Sequence, residues 1–479
     1  MNRKLFLLPV VIVFFLGGCT LAPKYSRPDA PVPSAWPTGP AYRETKTAAS
    51  APASSELPWR KFFTDENLQK IIESALNQNR DLRITVLNVE KARAYYGIQR
   101  AELLPTVNAV GSGSKGRVPA DLSTTGSAYT AEQYSVNLGI SSWEIDFFGR
   151  IRSLKDKALE EYLATDQARR GAQMLLVSTV ANAYINLAAD RETMNLAKST
   201  LETQETSYKM IRKRYEVGLA SELDLLRVQS QVDTAKGNVA RYIQLAAQDE
   251  NALNLLVGSP MPPALLPSEL SNVSPPGEIS PGLSSELLLR RPDVLAAEHR
   301  LKAANANIGA ARAAFFPRIS LTATFGTASA ELSGLFKDGS STWNFAPQII
   351  MPIFDARTWS AYDVTKVEKE ISVAQYEKAI QTAFREVADA LAVKGTVDRQ
   401  IAAQQSLTDA VAETYRLSNA RYNKGIDSYL SVLDAQRSLY AAQQGLIMLN
   451  LSRFANQMTL YNVLGGGSEG GLKNVSTNN

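Results

Sequence analysis

The sequence has almost none of the residues from which proteins build metal sites and nucleophilic active sites. Among its 479 residues there is one cysteine, Cys19, and one histidine, His299. Zinc sites, and nucleophiles activated by a neighbouring histidine, draw on clusters of these residue types, and a single cysteine forms no disulfide within the chain. Paired carboxylates remain as the chemistry of a hydrolase, but no glycine-rich loop or pair of buried acids supports it. We therefore predict a protein that is not an enzyme and holds no metal ion or other cofactor.

The chain also has no large excess of positive or negative charge. The chain has 51 lysines and arginines against 47 aspartates and glutamates, and its basic residues are not clustered. Nucleic-acid-binding domains are marked by a basic patch or stripe. The balanced charge therefore predicts that the protein has no nucleic-acid partner.

The amino terminus is typical of an export signal. Arg3 and Lys4 precede the apolar run LFLLPVVIVFFLGG, which ends at Cys19. A short basic region before a short apolar core is a secretion signal rather than a membrane-spanning helix. Its end, LGGC, resembles the bacterial lipobox, in which small residues admit the peptidase and the cysteine takes the lipid.

That resemblance implies a signal peptide over residues 1–18 and a mature chain whose Cys19 carries diacylglycerol and an N-acyl (palmitoyl) chain. Thr20, rather than an aspartate, follows the cysteine, which by the same resemblance permits export to the outer membrane. We expect the lipidated segment 19–59 to be extended, because it is rich in proline and proline resists helix formation. The alternative is an incidental cysteine at the end of an apolar run.

The chain repeats itself. RYEVGLASELDLLRVQ at residues 214–229 and RYNKGIDSYLSVLDAQ at residues 421–436 match in register. Further matches before and after these motifs indicate two related halves. The predicted organisation is a first half at roughly 60–258, a proline-rich connector at 259–282, a second half at 283–465 and a disordered tail at 466–479.

Each half is predicted to contain a hairpin of two long helices. Residues 150–216 have no proline, and their apolar residues recur at alternating steps of three and four, the spacing of one helix face. A helix of that length extends ~100 Å at ~1.5 Å per residue, which predicts an antiparallel coiled coil rather than a compact domain. The predicted helices are ~150–216, ~221–257, ~357–424 and ~428–464.

The repeated motif is predicted to be the turn of each hairpin. The glycine of each copy suits the left-handed residue that ends a helix. Ser221, with Asp224 three residues later, predicts a capping box at the start of the next helix. In the second half, Asp427 or Ser428 is expected to provide the cap.

Four shorter segments are predicted to be β-strands, two in each half, because their apolar and polar residues alternate. They lie at ~103–115, ~132–148, ~317–327 and ~342–354. Alternation over about ten residues is typical of a transmembrane strand with one face to lipid and the other to water. The alternative is an ordinary amphipathic hairpin on a soluble sheet.

Four strands cannot close a transmembrane barrel, because open edges in hydrocarbon leave backbone groups unpaired. We therefore predict that the chain shares a barrel with copies of itself. Two chains would give eight strands around an interior that side chains largely fill. Three would give twelve strands, enough for a water-filled pore.

Several motifs carry a likeness to a known family. They are LAPKYSRPDAP, SSWEIDFFGRIRS, IGAARAAFFPRISL, AQYEKAIQTAFREVADAL and YLSVLDAQRSLYAAQQ. Together with the lipobox, they resemble the outer-membrane factors of tripartite multidrug efflux pumps, most of all the lipoprotein branch that serves RND-type pumps. The resemblance covers the chain from Cys19 to about Gly466.

The resemblance implies a homotrimer that spans the outer membrane and is anchored there by lipid. Its fold would be α+β: a twelve-stranded transmembrane β-barrel, four strands from each chain, continuous with a long periplasmic α-helical coiled-coil barrel and joined by a mixed equatorial region. Its implied partners are a periplasmic adaptor (membrane fusion) protein, an inner-membrane RND transporter and outer-membrane lipid. The implied function is a passive exit duct for drugs and other small toxic compounds, opened by its partners at a periplasmic gate.

The family also implies roles for residues in and beside the two turns. The implied adaptor contacts are Val217, Gly218, Leu219, Lys424, Gly425 and Ile426. Leu430 and Asp434 would point into the lumen, where three copies form a leucine ring that excludes water and a carboxylate ring that favours cations; Arg437 could pair with Asp434. The implied latches of the closed gate are Arg421, Tyr422, Asp190 and Asp249. The alternatives are that the two turns only connect their helices, and that Asp434 and Arg437 form an ordinary solvated ion pair.

Two other functions stay open on the sequence. The exit duct of a protein-secretion system has the same architecture, although by resemblance such ducts usually lack a lipobox. A structural coiled-coil lipoprotein of the envelope would explain the helices but not the four amphipathic strands.

Overall fold

The structure is a computed structural model that describes residues 20–42, 57–279 and 285–466. The predictions for the signal peptide, for Cys19 and for nearly all of the tail lie outside these residues. The described helices are α1 (Trp59–Phe62), α2 (Glu66–Gln78), α3 (Arg80–Ala101), α4 (Arg150–Glu216), α5 (Glu222–Val257), α6 (Pro292–Ala313), α7 (Ala356–Asn423) and α8 (Tyr429–Val463). The described strands are β1 (Val107–Val118), β2 (Tyr129–Glu144), β3 (Arg318–Ser329) and β4 (Ser341–Ile350). The predicted α+β class is confirmed.

The elements group into two compact units, and neither unit is one half of the repeat. The first unit takes its residues from 1–29, 88–165 and 296–376, and the second from 30–87, 166–295 and 377–479. Each unit therefore combines corresponding parts of both halves. The repeat divides the chain into two consecutive halves, whereas each compact unit is made of the segments that pack together in space.

The first unit contains one four-stranded antiparallel sheet with the strand order β1-β2-β3-β4. β2 and β4 end at residues 144 and 350, earlier than the predicted ~148 and ~354. At the end of β2 the chain turns directly into α4, since the Asp146 carboxylate accepts hydrogen bonds from the backbone amides of Ile151 (3.1 Å) and Arg152 (2.9 Å). The residues that lengthened the predicted strand therefore form the loop that leads into the helix.

The second unit contains the turns and most of the length of two helical hairpins, whereas residues 150–165 and 356–376 of their first helices belong to the first unit. α4 has 67 residues and α7 has 68, and each is followed by a tight turn and a second long helix. The turns place Gly218 at φ 74° and Gly425 at φ 72°, a left-handed conformation that other residues adopt at a cost. By length and hydropathy alone, α4 is the one described helix that could cross a membrane, but 56% of its apolar stretch is buried within the protein, as in a core helix.

The two hairpins start their second helices differently. Ser221 and Asp224 form the predicted capping box, with the Ser221 hydroxyl accepting from the Asp224 amide at 3.1 Å. Ser428 stands at the equivalent cap position of α8, but its side chain makes no capping hydrogen bond. The predicted cap of the second hairpin is therefore wrong: the residue three positions on is Ser431 rather than an acid, and Asp427 bonds Arg421 instead.

This difference predicts unequal effects of two matched substitutions. Ser221→Ala should weaken the start of α5 by about 1 kcal/mol, a typical capping contribution, and so speed hydrogen exchange at the Asp224 amide roughly fivefold. Ser428→Ala should change exchange at the start of α8 by much less. Hydrogen-exchange mass spectrometry on both variants makes the comparison, and equal effects at the two turns would contradict it.

An N-terminal strap, residues 20–42, runs in extended form in both units. In the first unit, Arg27 makes a bidentate ion pair with Glu298 of α6 (3.1 and 2.8 Å). In the second unit, Trp36 stacks on Phe384 of α7 with ring centroids 5.4 Å apart. A Cβ at Gly395 would lie 2.2 Å from the carbonyl oxygen of Ala41, so only glycine admits the strap there. The described part of the predicted extended segment is thus held against helices of the second half.

Candidate functional site

The sheet of the first unit has one apolar and one polar face. The strand registers put side chains of all four strands in rows across each face. The apolar face carries Val107, Ala109, Val136, Leu138, Ile140, Ile319, Leu321, Ala323, Phe325, Trp343, Phe345 and Ile349. The opposite face is mainly polar and carries Asn108, Ser112, Ser114, Gln133, Ser135, Asn137, Ser320, Thr322, Thr324, Asn344 and Gln348, with Val110, Ala346 and Ile350 among its apolar exceptions. This division follows the predicted alternation.

The apolar face is exposed in the single chain. Leu138 of β2, Phe325 of β3 and Phe345 of β4 are each more than half exposed. Contiguous exposed apolar surface marks a membrane or protein contact. Within the described residues, the outer edges of β1 and β4 have no neighbouring strand. A sheet with these properties is suited to hydrocarbon on one face, water on the other, and a further strand at each edge.

The two hairpin turns expose the residues that the sequence assigned to adaptor contact. Val217 and Leu219 are each 69% exposed and Ile426 is 57% exposed. They flank the left-handed glycines, so the backbone holds them outward at the tips. Exposed apolar side chains on a fixed turn can be contacted by a partner without rearrangement.

The predicted gate residues lie one helical turn past the second turn. Leu430 is 42% exposed, and Asp434, four residues later, follows it on the same helix face. The guanidinium Nη1 of Arg437 lies 3.8 Å from the Asp434 carboxylate, and both side chains are more than half exposed. An exposed ion pair of this length contributes little to stability.

The four predicted latch residues are not brought together within the chain. Arg421 binds Asp427 across its own turn, with Nε–Oδ2 and Nη2–Oδ1 distances of 2.6 and 3.1 Å. That hydrogen bond lowers the pKa of the Asp427 carboxyl. Asp190 lies 24 residues before Arg214, the counterpart of Arg421, which is roughly 36 Å along a helix. Within the single chain Arg421 therefore pairs with Asp427, and the latch role that resemblance implies for these residues stays a prediction.

Tyr422 belongs instead to a buried cluster that joins the tips of the two hairpins, here called the tip core. Its buried members are Ile211, Val228, Tyr422, Tyr429, Val432 and Leu433. The rings of Tyr422 and Tyr429 meet edge to face with centroids 5.0 Å apart. Sequence reasoning missed this cluster, although tyrosines that recur at 208 and 415, and at 215 and 422, were a signal for it.

Asp190 of α4 and Asp249 of α5 form a separate pair in the first hairpin. Burial, together with the charge of the neighbouring Asp190 carboxyl, raises the pKa of Asp249 to about 6. Burial also raises the pKa of Asp190, against the hydrogen bond from Asp249 and the charge of Arg241, which lower it. Two neighbouring carboxyls repel each other when both are ionised, so the ionisation of one disfavours that of the other. Within the described ranges, no group of three or more His, Cys, Asp or Glu side chains is placed to hold a metal ion.

The raised pKa of Asp249 predicts a pH-dependent stability. Because its folded pKa of about 6 exceeds the ordinary value, its contribution is fully present below about pH 4 and lost as pH rises through 6. Asp249→Asn should therefore stabilise the protein at pH 7.5 by about 1 kcal/mol, which allows for the water that still reaches the carboxyl. At pH 4.5 the gain should fall to about a third of that value.

Helix melting followed by circular dichroism at both pH values measures this effect. Asp233→Asn is the matched control, since Asp233 is an exposed aspartate on the same helix. A pH dependence that is unchanged in Asp249→Asn would remove this pair as its source.

This chain is similar in sequence and fold to known outer-membrane proteins. A family model described as outer membrane efflux protein matches residues 71–259 and 283–466. The toluene efflux pump outer membrane protein TtgC of Pseudomonas putida is 50% identical over 459 residues, which cover 95% of this chain and 94% of that protein. The antibiotic efflux pump outer membrane protein ArpC of Pseudomonas putida has the same identity and coverage. The solved open state of the Neisseria gonorrhoeae MtrE outer membrane channel has a TM-score of 0.84 at 38% identity, covering 94% of this chain and 99% of that one.

Proposed function

This chain belongs to the outer membrane efflux protein family, and from that membership we propose that three copies close one barrel and conduct small toxic compounds out of the cell. It is the outer-membrane exit duct of a tripartite efflux pump and has a periplasmic extension. Its relatives are channel proteins rather than enzymes, and the duct adds no chemistry of its own. The inner-membrane transporter supplies the energy.

The two-faced sheet with two open edges is the observation that carries this proposal. Most of its apolar side chains, among them Leu138, Phe325 and Phe345, lie on one face. In hydrocarbon each unpaired edge would cost several kcal/mol per backbone group, so the edge of β4 in one chain pairs with the edge of β1 in the next. Three chains supply twelve strands, and their polar faces line a water-filled pore.

The strap supports lipid anchoring at Cys19. It is clamped from its first described residues onward, since Arg312 donates to the carbonyl oxygen of Leu21 at 3.2 Å. Diacylglycerol and N-acyl (palmitoyl) chains on Cys19 would be attached two residues before a backbone position that is bonded to the first unit, which carries the sheet. The fixed strap gives the lipid a set place on the protein.

The gate is formed by the second hairpins at the periplasmic end. Three copies of Leu430 narrow the opening, and three copies of Asp434 favour cations while Arg437 partly offsets their charge. A periplasmic adaptor contacts the exposed turns at 217–219 and 424–426, and its binding together with the RND transporter opens the gate. Partner binding shifts this equilibrium only by its difference in affinity for the open and closed states.

Conductance in planar bilayers tests the duct. Detergent-purified protein, with its trimer mass established by native mass spectrometry, should give low conductance in the closed state and brief large openings. A trimer without conductance would contradict the duct and favour a structural role. Co-purification of an adaptor and an RND transporter from native membranes tests the partners, and a protein-secretion transporter in their place would redirect the function.

A further inference from the structure

The tip core holds a specific contact between the two hairpins of one chain. The guanidinium carbon of Arg214, in the first hairpin, lies 5.2 Å from the ring centroid of Tyr422, in the second. Tyr422 is 8% exposed and Leu433 is 5% exposed, while Met210 of the first hairpin packs against the same cluster. One arginine and one apolar residue of the first hairpin therefore meet one tyrosine and one leucine of the second.

The repeat gives each of these residues a counterpart in the other hairpin. By the register of the two motifs, the counterparts of Met210 and Arg214 are Leu417 and Arg421, and those of Tyr422 and Leu433 are Tyr215 and Leu226. We call Met210 with Arg214, and Leu417 with Arg421, the arginine flanks. We call Tyr215 with Leu226, and Tyr422 with Leu433, the tyrosine flanks.

The flanks that the single chain leaves unused are exposed. Leu226 is 58% exposed, Leu417 is 47% exposed and Tyr215 is 40% exposed, in contrast to the buried Leu433 and Tyr422. The side chain of Arg421 is 54% exposed. The first hairpin thus keeps a free tyrosine flank and the second hairpin keeps a free arginine flank.

The arrangement of hairpins in a closed ring determines what covers the exposed flanks. Each hairpin in a ring has two neighbours, and in three chains first and second hairpins alternate. The second hairpin of one chain therefore meets the first hairpin of the next. One arginine flank and one tyrosine flank are still exposed at this contact. They correspond by the repeat to the two flanks that already pack together within the chain, so the contact between chains would be quasi-equivalent to the one inside it.

We propose that the interface between neighbouring chains at the tips repeats the tip core, with Arg421 of one chain over the ring of Tyr215 of the next and Leu417 against Leu226. A second copy of this chain is thus the occupant of the exposed flanks. This inference rests on the proposed trimeric duct and identifies its inter-chain contact beside the gate. It replaces the latch partners that resemblance implied for Arg421.

The chemistry of Arg421 suits this contact. Its Nε and Nη2 groups bind Asp427 edge-on, which leaves the flat face of the guanidinium free to cover an aromatic ring. The counterpart of Asp427 in the first hairpin is Ala220, so Arg214 has no such carboxylate at this position. Asp427 therefore holds Arg421 in place before the neighbouring chain arrives.

Cysteine cross-linking in the lipidated full chain tests the interface. Tyr215→Cys with Arg421→Cys, treated with a short bismaleimide in outer membranes, should give dimers and trimers on a denaturing gel. The matched control is Arg214→Cys with Tyr422→Cys, which replaces the equivalent pair within the chain and should give monomers with an internal cross-link. The unsubstituted chain, treated in the same way, shows any background reaction of Cys19.

The outcomes separate the interface from the duct itself. Native mass spectrometry before cross-linking establishes the trimer, and a monomer there would contradict the proposed function. A trimer in which both introduced cysteines react with a monomaleimide but give no inter-chain product would overturn the interface. Leu226→Cys with Leu417→Cys, both at exposed positions, provides a second pair that should also link chains, and its failure in an intact trimer would count equally against the proposal.

Discussion

Phe345→Arg should prevent the protein from assembling in the outer membrane, whereas Asn344→Arg, one residue earlier on the same strand, should be tolerated. Phe345 lies on the apolar face of β4 opposite Ala323, and Asn344 lies on the polar face opposite Thr324. An arginine facing lipid near the bilayer midplane costs ~2–4 kcal/mol. Three chains carry it at once, so the assembled barrel would lose ~6–12 kcal/mol. An arginine facing the pore remains in water.

Two measurements follow this result. Heat-resistant trimers in purified outer membranes report assembly, and the inhibitory concentration of an exported toxic compound reports function. Phe345→Arg should abolish the first and reduce the second to the level of a deletion strain. Phe345→Ala controls for the loss of the ring alone and should retain most trimer. Similar losses from the arginines at 344 and 345 would contradict the assignment of the two faces to lipid and water.

Asp434→Ala should lower the cation preference of the closed channel, and Arg437→Ala should raise it. A carboxylate about 8 Å from a passing ion, at an effective dielectric constant of about 40, contributes about 1 kcal/mol, or roughly fivefold in cation preference. Three copies act together in the ring, so the combined change is larger. Removing Arg437 leaves the carboxylate charge without its partner at 3.8 Å. Asp434→Ala should also raise the leak of the closed state.

Reversal potentials across a salt gradient measure this preference. Asp409→Ala is the matched control, since Asp409 is an exposed aspartate on α7 that accepts a hydrogen bond from Gln405 and lies outside the proposed ring. It should leave the reversal potential unchanged. A selectivity that is the same in Asp434→Ala and the unsubstituted chain would exclude Asp434 from the gate.

Features that depend on near neighbours in the chain were predictable from the sequence. The helix predicted at ~150–216 is observed at Arg150–Glu216, since an apolar spacing of three and four repeats along the segment itself. The capping box at Ser221 and Asp224 involves residues three apart, and the left-handed turn needs only a glycine at the right place. Alternation likewise assigned the two faces of β2 and β3 before any partner strand was known.

The prediction that failed did so because a competing side chain in the same turn formed the contact instead. Asp427 was expected to cap α8, but the tertiary structure brings Arg421 within 2.6 Å of its carboxylate, and a charged partner displaces the cap. The latch role of Tyr422 stays a prediction, but the sequence did not show that its ring packs edge to face against Tyr429. The strap could be predicted to be extended, but not which helices would hold it.

By itself, then, the sequence determined the duplicated hairpins, the four amphipathic strands and the membership of an export family, because periodicity, glycine and proline act over a few residues. Only the tertiary structure decided that segments of both halves combine in each compact unit, and that one arginine flank and one tyrosine flank are already buried within the chain. The sequence alone does not distinguish the two copies of the motif in this respect. Packing distinguishes them, because it buries the tyrosine flank of the second hairpin and leaves that of the first exposed. That asymmetry, visible at Tyr422 and Tyr215, is the observation on which the proposed contact between chains rests.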